Sequence, residues 1–301
     1  VDLRCTVVAR ELGTPVGGTA APFGAALLVE VPQPWPKDIE DHPLLAEIVP
    51  LAAELGIRIQ GIVPARDPEA PRDAGDAVHV ELYRRTSSTS PSSVSSFSGY
   101  AHAGATVPAA VLANTVRGLW DHTDRTDRTK VLVCAHGKRD RCCGSFGTTS
   151  ANRAVANGIH ALRTSHLGGH RFATTALLLP EGTVWAWLDD ETLAAIVERS
   201  IDPASLRGHY RGSTGIDHPA AQLIEGEAFF ETGWAWLDRT RAADVDQLDD
   251  RTWRATVTDG TTTWTGVVEH TDTLPQPACG APLDEATKFD RVLEVRELNR
   301  V

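Results

Sequence analysis

The chain has 301 residues, 42% hydrophobic and 23% charged, with a net charge of −11 from 29 basic and 40 acidic side chains. That length predicts two or three packed units. The acidic balance argues against nucleic acid or anionic membranes as partners, and no run approaches the roughly 18–20 apolar residues of a membrane span.

The first residues, Val1 to Glu11, are polar and charged with no signal-peptide core, so a cytoplasmic protein is expected. Residues 24–31 read as a buried strand closed by Pro32 and Pro34. Apolar positions at helical spacing predict a helix over 43–55, stopped by Gly56. Strands are expected over 57–63 and 78–83. This β-α-β rhythm makes residues 1–120 an N-terminal α/β region. The serine- and threonine-rich stretch 86–98 buries little and reads as a mobile loop. The charged run from Asp121 to Lys130 reads as a solvated connector.

Val131 to Val133 form a short apolar strand ending at Cys134, followed by a polar loop to Gly147. A helix is expected over 149–162, with Thr148 or Thr149 as its N-cap. A glycine loop carries His166 to His170. Strands over 172–179 and 184–188 flank the turn Pro180-Glu181-Gly182-Thr183, and 191–199 is expected to be helical. Strand, helix, strand, strand, helix is the order of a thioredoxin-like half, assigned to 121–202. The remainder, 203–301, reads as a small α+β appendage with a helix over 219–238 and a β-hairpin over 252–269 about Asp259-Gly260. The repeat Trp-Ala-Trp-Leu-Asp at 185–189 and 234–238 falls in unlike contexts and reads as core packing.

Of the five cysteines, Cys134, Cys142 and Cys143 lie close to His166 and His170, within 37 residues. Five is an odd number with uneven spacing, which suits free, metal-bound or catalytic thiols better than bridges. Cysteine and histidine at loop ends are common holders of soft or borderline metals, and loops ending neighbouring strands can converge. Two glycines between the histidines suit a loop that bends tightly around a bulky object.

The segments Cys134-Ala-His136-Gly137-Lys138-Arg139-Asp140-Arg141-Cys142-Cys143-Gly144 and His166-Leu167-Gly168-Gly169-His170-Arg171-Phe172-Ala173 resemble those of the sucrase/ferredoxin-like proteins, a branch of the thioredoxin-like ferredoxins. Gly208-His209-Tyr210-Arg211-Gly212 adds to the resemblance, which covers roughly 20–240. It implies a [2Fe–2S] cluster, with Cys134 and Cys143 on one iron and His166 and His170 on the other. Cys142 is the alternative thiolate; glycine after Cys143 favours the latter. The implied role is one-electron transfer as a carrier or reductase component, with a redox protein as partner, rather than a self-contained enzyme. Neutral imidazole in place of thiolate raises a cluster's potential. Its second ring nitrogen can also couple electron uptake to a proton. Arg139 and Asp140 are expected to serve the ligand loop, by hydrogen bonds toward the cluster or as an ion pair that holds it.

A structural Cys2His2 zinc site would use the same four residues, but eight residues separate its cysteines where zinc fingers have two to four. A thiol-disulfide enzyme lacks its Cys-x-x-Cys, and vicinal Cys142-Cys143 would make a strained bridge. A Rieske pattern fails because Ser145 and Phe146 stand where histidine is needed. A phosphatase loop fails because Asp140 stands in place of arginine. Cys5 and Cys279 have no local ligand pattern and read as plain small residues.

Overall fold

The computed structural model describes residues 4–64, 77–86, 96–125 and 128–301. The chain opens with a short helix, α1 (Cys5–Glu11). The first half then runs β1 (Ala25–Glu30), α2 (Ile48–Leu55), β2 (Ile57–Pro64), β3 (Ala77–Arg85), the two-residue β4 (Ser96–Phe97), β5 (Tyr100–Pro108), α3 (Leu112–Asp121) and the two-residue β6 (Asp124–Arg125). The second half runs β7 (Lys130–Cys134), α4 (Thr148–Ala156), β8 (Ala161–Thr164), β9 (Ala176–Leu179), β10 (Thr183–Trp185) and α5 (Asp190–Glu198). The C-terminal part adds β11 (Tyr210–Ser213), α6 (Pro219–Thr232), β12 (Arg241–Gln247), β13 (Thr252–Thr258), β14 (Thr263–Pro275) and β15 (Phe289–Arg300).

The local reasons are ordinary ones. Gly56 closes α2 in the left-handed conformation, φ 65°. Asp189 caps α5 by accepting from the Thr192 N–H at 2.7 Å. Pro219 opens α6 at the position where a missing N–H costs nothing.

Ten strands form one sheet in the order β11-β10-β9-β7-β8-β2-β1-β3-β5-β6. In the first half β1 is parallel to β2 and antiparallel to β3, which pairs antiparallel with β5. The second half repeats this: β7 is parallel to β8 and antiparallel to β9, which pairs antiparallel with β10. The halves join through antiparallel β2 and β8. The sheet therefore runs unbroken across the boundaries expected after residues 120 and 202, and the chain is a mixed α/β protein. A second, five-stranded sheet has the order β15-β14-β13-β12-β4. Helix α6 packs Ile224, Ala228 and Phe229 into one buried cluster with Trp253, Val257 and Trp264 of that sheet.

Several sequence expectations are corrected. The helix expected over 149–162 ends at Ala156, because Gly158 turns the chain at φ 82° and residues 161–164 extend as β8. Neither Thr148 nor Thr149 caps it: a π-helical turn, Cys143–Gly147, runs straight into α4. The strand expected over 172–179 is shortened by a 3-10 turn at His170–Phe172, and that expected over 184–188 by ending at Trp185. The helix expected over 219–238 stops at Thr232 before Gly233, and Trp234–Trp236 form a separate 3-10 turn. The two tryptophan repeats meet in one core, with Trp185 and Trp234 rings 6.2 Å apart. The serine-rich stretch falls largely on 87–95, outside the described residues. No helix among the described residues is long and apolar enough to cross a membrane.

Candidate metal centre

Strands β7 and β8 are parallel neighbours, and Cys134 is paired in register with Thr164. The loops leaving both strands therefore start side by side, which is how a parallel pair gathers site residues. After Cys134 the chain turns through Gly137, then returns as the π-helical turn that begins at Cys143. The return is tight. A Cβ on Gly147 would lie 1.8 Å from the Cys134 carbonyl oxygen, and one on Gly144 would lie 2.5 Å from the Cα of Gly137. After β8, Gly168 and Gly169 both adopt positive φ, 90° and 73°, and bend the loop that carries His166 and His170.

This folding brings Cys134, Cys143 and His166 together, with one donor atom of each within 4.8 Å of the others. Cys134 and Cys143 are each 1% exposed. The Cys134 sulfur lies 3.9 Å from Nδ1 of His166. A hydrogen bond from the Cys143 thiol holds the Cys134 thiol well below its ordinary range against the cost of burial, with His166 adding to the effect. The same bond pushes the Cys143 thiol up. The pair thus shares a proton, which a metal bound to both sulfurs would displace.

His170 stands beside this group, its ring centroid 6.1 Å from that of His166. Its Nδ1 is turned to Asp140 Oδ2 at 3.3 Å and to the Cys5 sulfur at 3.4 Å. That leaves Nε2 as the nitrogen it can offer a metal. Asp140 is buried and accepts from the Cys142 N–H at 2.7 Å. Arg139 reaches outward to an ion pair with Asp38, and Arg171 pairs with Asp290 rather than with Asp140.

The supporting residues come from both halves. His136 is buried and spans two backbones: its Nδ1 accepts from the His166 N–H at 3.2 Å and its Nε2 lies 2.8 Å from the Pro36 carbonyl, an arrangement that fixes the tautomer. Arg58 donates to the His166 carbonyl at 3.2 Å. Arg211, buried, donates to the Gly168 carbonyl at 2.9 Å and stacks over Phe172. Burial and the neighbouring Arg171 and Arg58 lower its pKa to about 9. His209 instead contacts the Ala186 carbonyl at 2.9 Å. The role of Arg58 has no sequence signal, whereas Arg211 lies in the Gly208–Gly212 segment that carries part of the resemblance, although nothing local links it to the 166–170 loop.

Cys142 turns away from Cys143. Its sulfur lies 3.2 Å from that of Cys279, and Cys5 and Asp140 complete a second group within 4.8 Å. Cys5 and Cys279 are therefore not isolated small residues; they meet across 274 positions of sequence. A cleft of about 680 Å³ opens beside the ligand loop, lined by Trp35, His136, Ser145 and the basic Arg4, Lys138 and Arg141.

Fold and site together define a mixed α/β protein whose converging thiol and imidazole groups could hold a metal ion. The chain belongs to the sucrase/ferredoxin-like family, whose family model matches residues 16–212. No curated protein and no solved structure matches it.

Proposed function

We propose that this chain is a [2Fe–2S] electron-transfer protein, a one-electron carrier or reductase component, with Cys134 and Cys143 on one iron and His166 and His170 on the other. The observation that carries the reading is the convergence of two buried thiols and an imidazole, donor atoms within 4.8 Å, on loops leaving adjacent strands. The donor set fits: soft thiolates and borderline imidazoles suit iron, and one thiol of the pair is already poised to ionise. When bound, the cluster supplies reversible one-electron chemistry, with histidine ligation favouring potentials of about −150 to +300 mV over the about −400 mV of all-thiolate plant-type centres.

The chain's own residues do the positioning. His136 and Arg58 fix the backbone of His166 from opposite sides. Asp140 orients His170 through Nδ1, as carboxylates commonly do for metal-binding histidines. Arg211 clamps the glycine bend between the two histidines. Burial of both cysteines keeps water from the thiolate side. The order β8-β7-β9-β10, with its one parallel pair, supports a thioredoxin-like description of the second half. The five free cysteines support a reducing, cytoplasmic setting. The basic residues lining the cleft suit a redox partner that presents acidic groups, although the chain as a whole is acidic.

The test is an absorption spectrum of anaerobically purified protein, with iron and acid-labile sulfide measured on the same sample. The expected result is a red-brown protein with about two irons and two sulfides per chain. His166→Cys and His170→Cys are each expected to retain colour and lower the potential. A single zinc on Cys134, Cys143 and the histidines, persisting after anaerobic reconstitution with iron and sulfide, would overturn the reading.

A further inference from the structure

In the group formed by Cys5, Asp140, Cys142 and Cys279 none of the three thiols is a proposed cluster ligand, and only Asp140 and Cys5 touch one, at His170 Nδ1. Its donors come from three distant segments: the first residue of α1, the ligand loop, and the turn between β14 and β15. The contacts form a compact polyhedron. Sulfur to sulfur, Cys142 and Cys279 are 3.2 Å apart and Cys279 and Cys5 are 3.5 Å apart. Oδ1 of Asp140 is 3.5 Å from the Cys5 sulfur and 3.4 Å from that of Cys279. A tetrahedron of thiolates about 2.3 Å from a zinc ion has edges of about 3.8 Å, so lengthening the two sulfur–sulfur edges by about 0.3 and about 0.6 Å would seat one ion.

We infer that these four residues form a second, mononuclear metal site for a zinc-like divalent ion, held by three thiolates and one carboxylate and separate from the cluster. Cys5 and Cys142 are fully buried and Asp140 nearly so, which closes three of the four corners to solvent. Structural zinc sites have such closed four-donor shells, with thiolates predominant. Backbone N–H groups of Thr6 and Cys5 point at the Cys142 and Cys279 sulfurs and offset the negative charge that the thiolates bring. Asp140 faces both centres, with Oδ1 toward the thiols and Oδ2 toward His170. The two sites therefore share one carboxylate and the Cys142-Cys143 peptide bond.

This inference goes beyond the electron-transfer reading and stands or falls separately. The test is metal analysis of anaerobically purified full-length chain, followed by Zn(II) titration with thiol mapping by N-ethylmaleimide and peptide mass spectrometry. Expected are about one zinc per chain in addition to iron, and protection of Cys5, Cys142 and Cys279 that EDTA reverses. Cys279→Ser is expected to bind zinc at least about tenfold more weakly, since even residues that only support a ligand cost that much, while the visible spectrum stays unchanged. Zinc that protects Cys134 and Cys143 instead, or no protection in the wild-type chain, would overturn the site. So would a Cys142–Cys279 disulfide in the anaerobic protein, seen as an intact mass lower by two hydrogens, which would make the group a dithiol pair. A colourless protein that still binds zinc at Cys5, Cys142 and Cys279 would support this site and remove only the cluster reading.

Discussion

Gly147 illustrates how single residues set the ligand geometry. A methyl group there would meet the Cys134 carbonyl oxygen at 1.8 Å and its carbon at 2.8 Å, both backbone atoms of a proposed ligand. Gly147→Ala is expected to cost about 1–3 kcal/mol or more, as overpacking does, and to lower iron content at the same time. Gly158→Ala is the control: nothing lies within 4 Å of its added carbon, and only its φ of 82° resists. It should cost about 1–2 kcal/mol and leave iron unchanged, as urea unfolding and iron analysis would check. His136 is a second such residue. Its replacement by phenylalanine keeps a ring but strands the His166 N–H and the Pro36 carbonyl. The expected cost is about 1–3 kcal/mol, and equal iron retention and stability in the variant would contradict the positioning role. The meeting of Cys134, Cys143 and His166 was legible because short motifs carry these residues. Cys5 and Cys279 were not, because their meaning lies only in a contact between residues far apart in the chain.

Among the elements, helix starts carry a pH dependence. His218 caps α6, its Nδ1 accepting from the Ala220 N–H at 3.1 Å, and His42 caps the turn Pro43–Leu45 in the same way at 3.2 Å. An imidazolium cannot accept, so each cap needs the neutral ring. Burial lowers both pKa values from the ordinary 6.5, with Arg291 adding to the effect at His218. In this range the unfolded chain binds a proton that the folded chain refuses. The stabilisation is therefore present above about pH 6.5 and is lost as pH falls through the folded-state values. The urea midpoint should drop between pH 7.5 and 5.5, and His218→Asn, whose cap does not titrate, should drop less; an equal drop would assign the effect elsewhere. Element types were largely readable from periodicity, as in β1, α2 and the β13–β14 hairpin. Their ends were not: Gly158 broke a helix whose downstream residues kept an acceptable helical pattern, and residues 161–164 became a strand because β2 and β7 offered partners on both sides.

For the whole molecule, the C-terminal layer is fastened by charge as well as by apolar packing. Glu225 of α6 and Arg241 at the start of β12 pair with both side chains fully buried, and the Tyr210 hydroxyl donates to Glu225 at 2.8 Å. Burial pushes the Glu225 carboxyl up while Arg241 pulls it back. Arg241→Met strands a buried carboxylate and is expected to cost about 3–5 kcal/mol. Adding Glu225→Leu should recover much of that loss, because replacing both ions removes the unpaired charge. A double variant no more stable than the single one would contradict this account. The ten-stranded sheet was not foreseen, since pairing of β2 with β8 joins segments about a hundred residues apart and leaves no local trace.

Helix α1 docks against the turn at residues 170–172, and Cys5 meets Cys279 there. During synthesis an emerging chain would hold Cys5, Asp140 and Cys142 long before Cys279 left the ribosome. Folding by units from the N-terminal side could finish the ten-stranded sheet, but this corner would stay open until the hairpin of β14 and β15 formed. A stalled or clipped nascent chain would thus leave the thiols of Cys5 and Cys142 beside Asp140 without their fourth partner, and a protease or chaperone could tell it from a finished molecule.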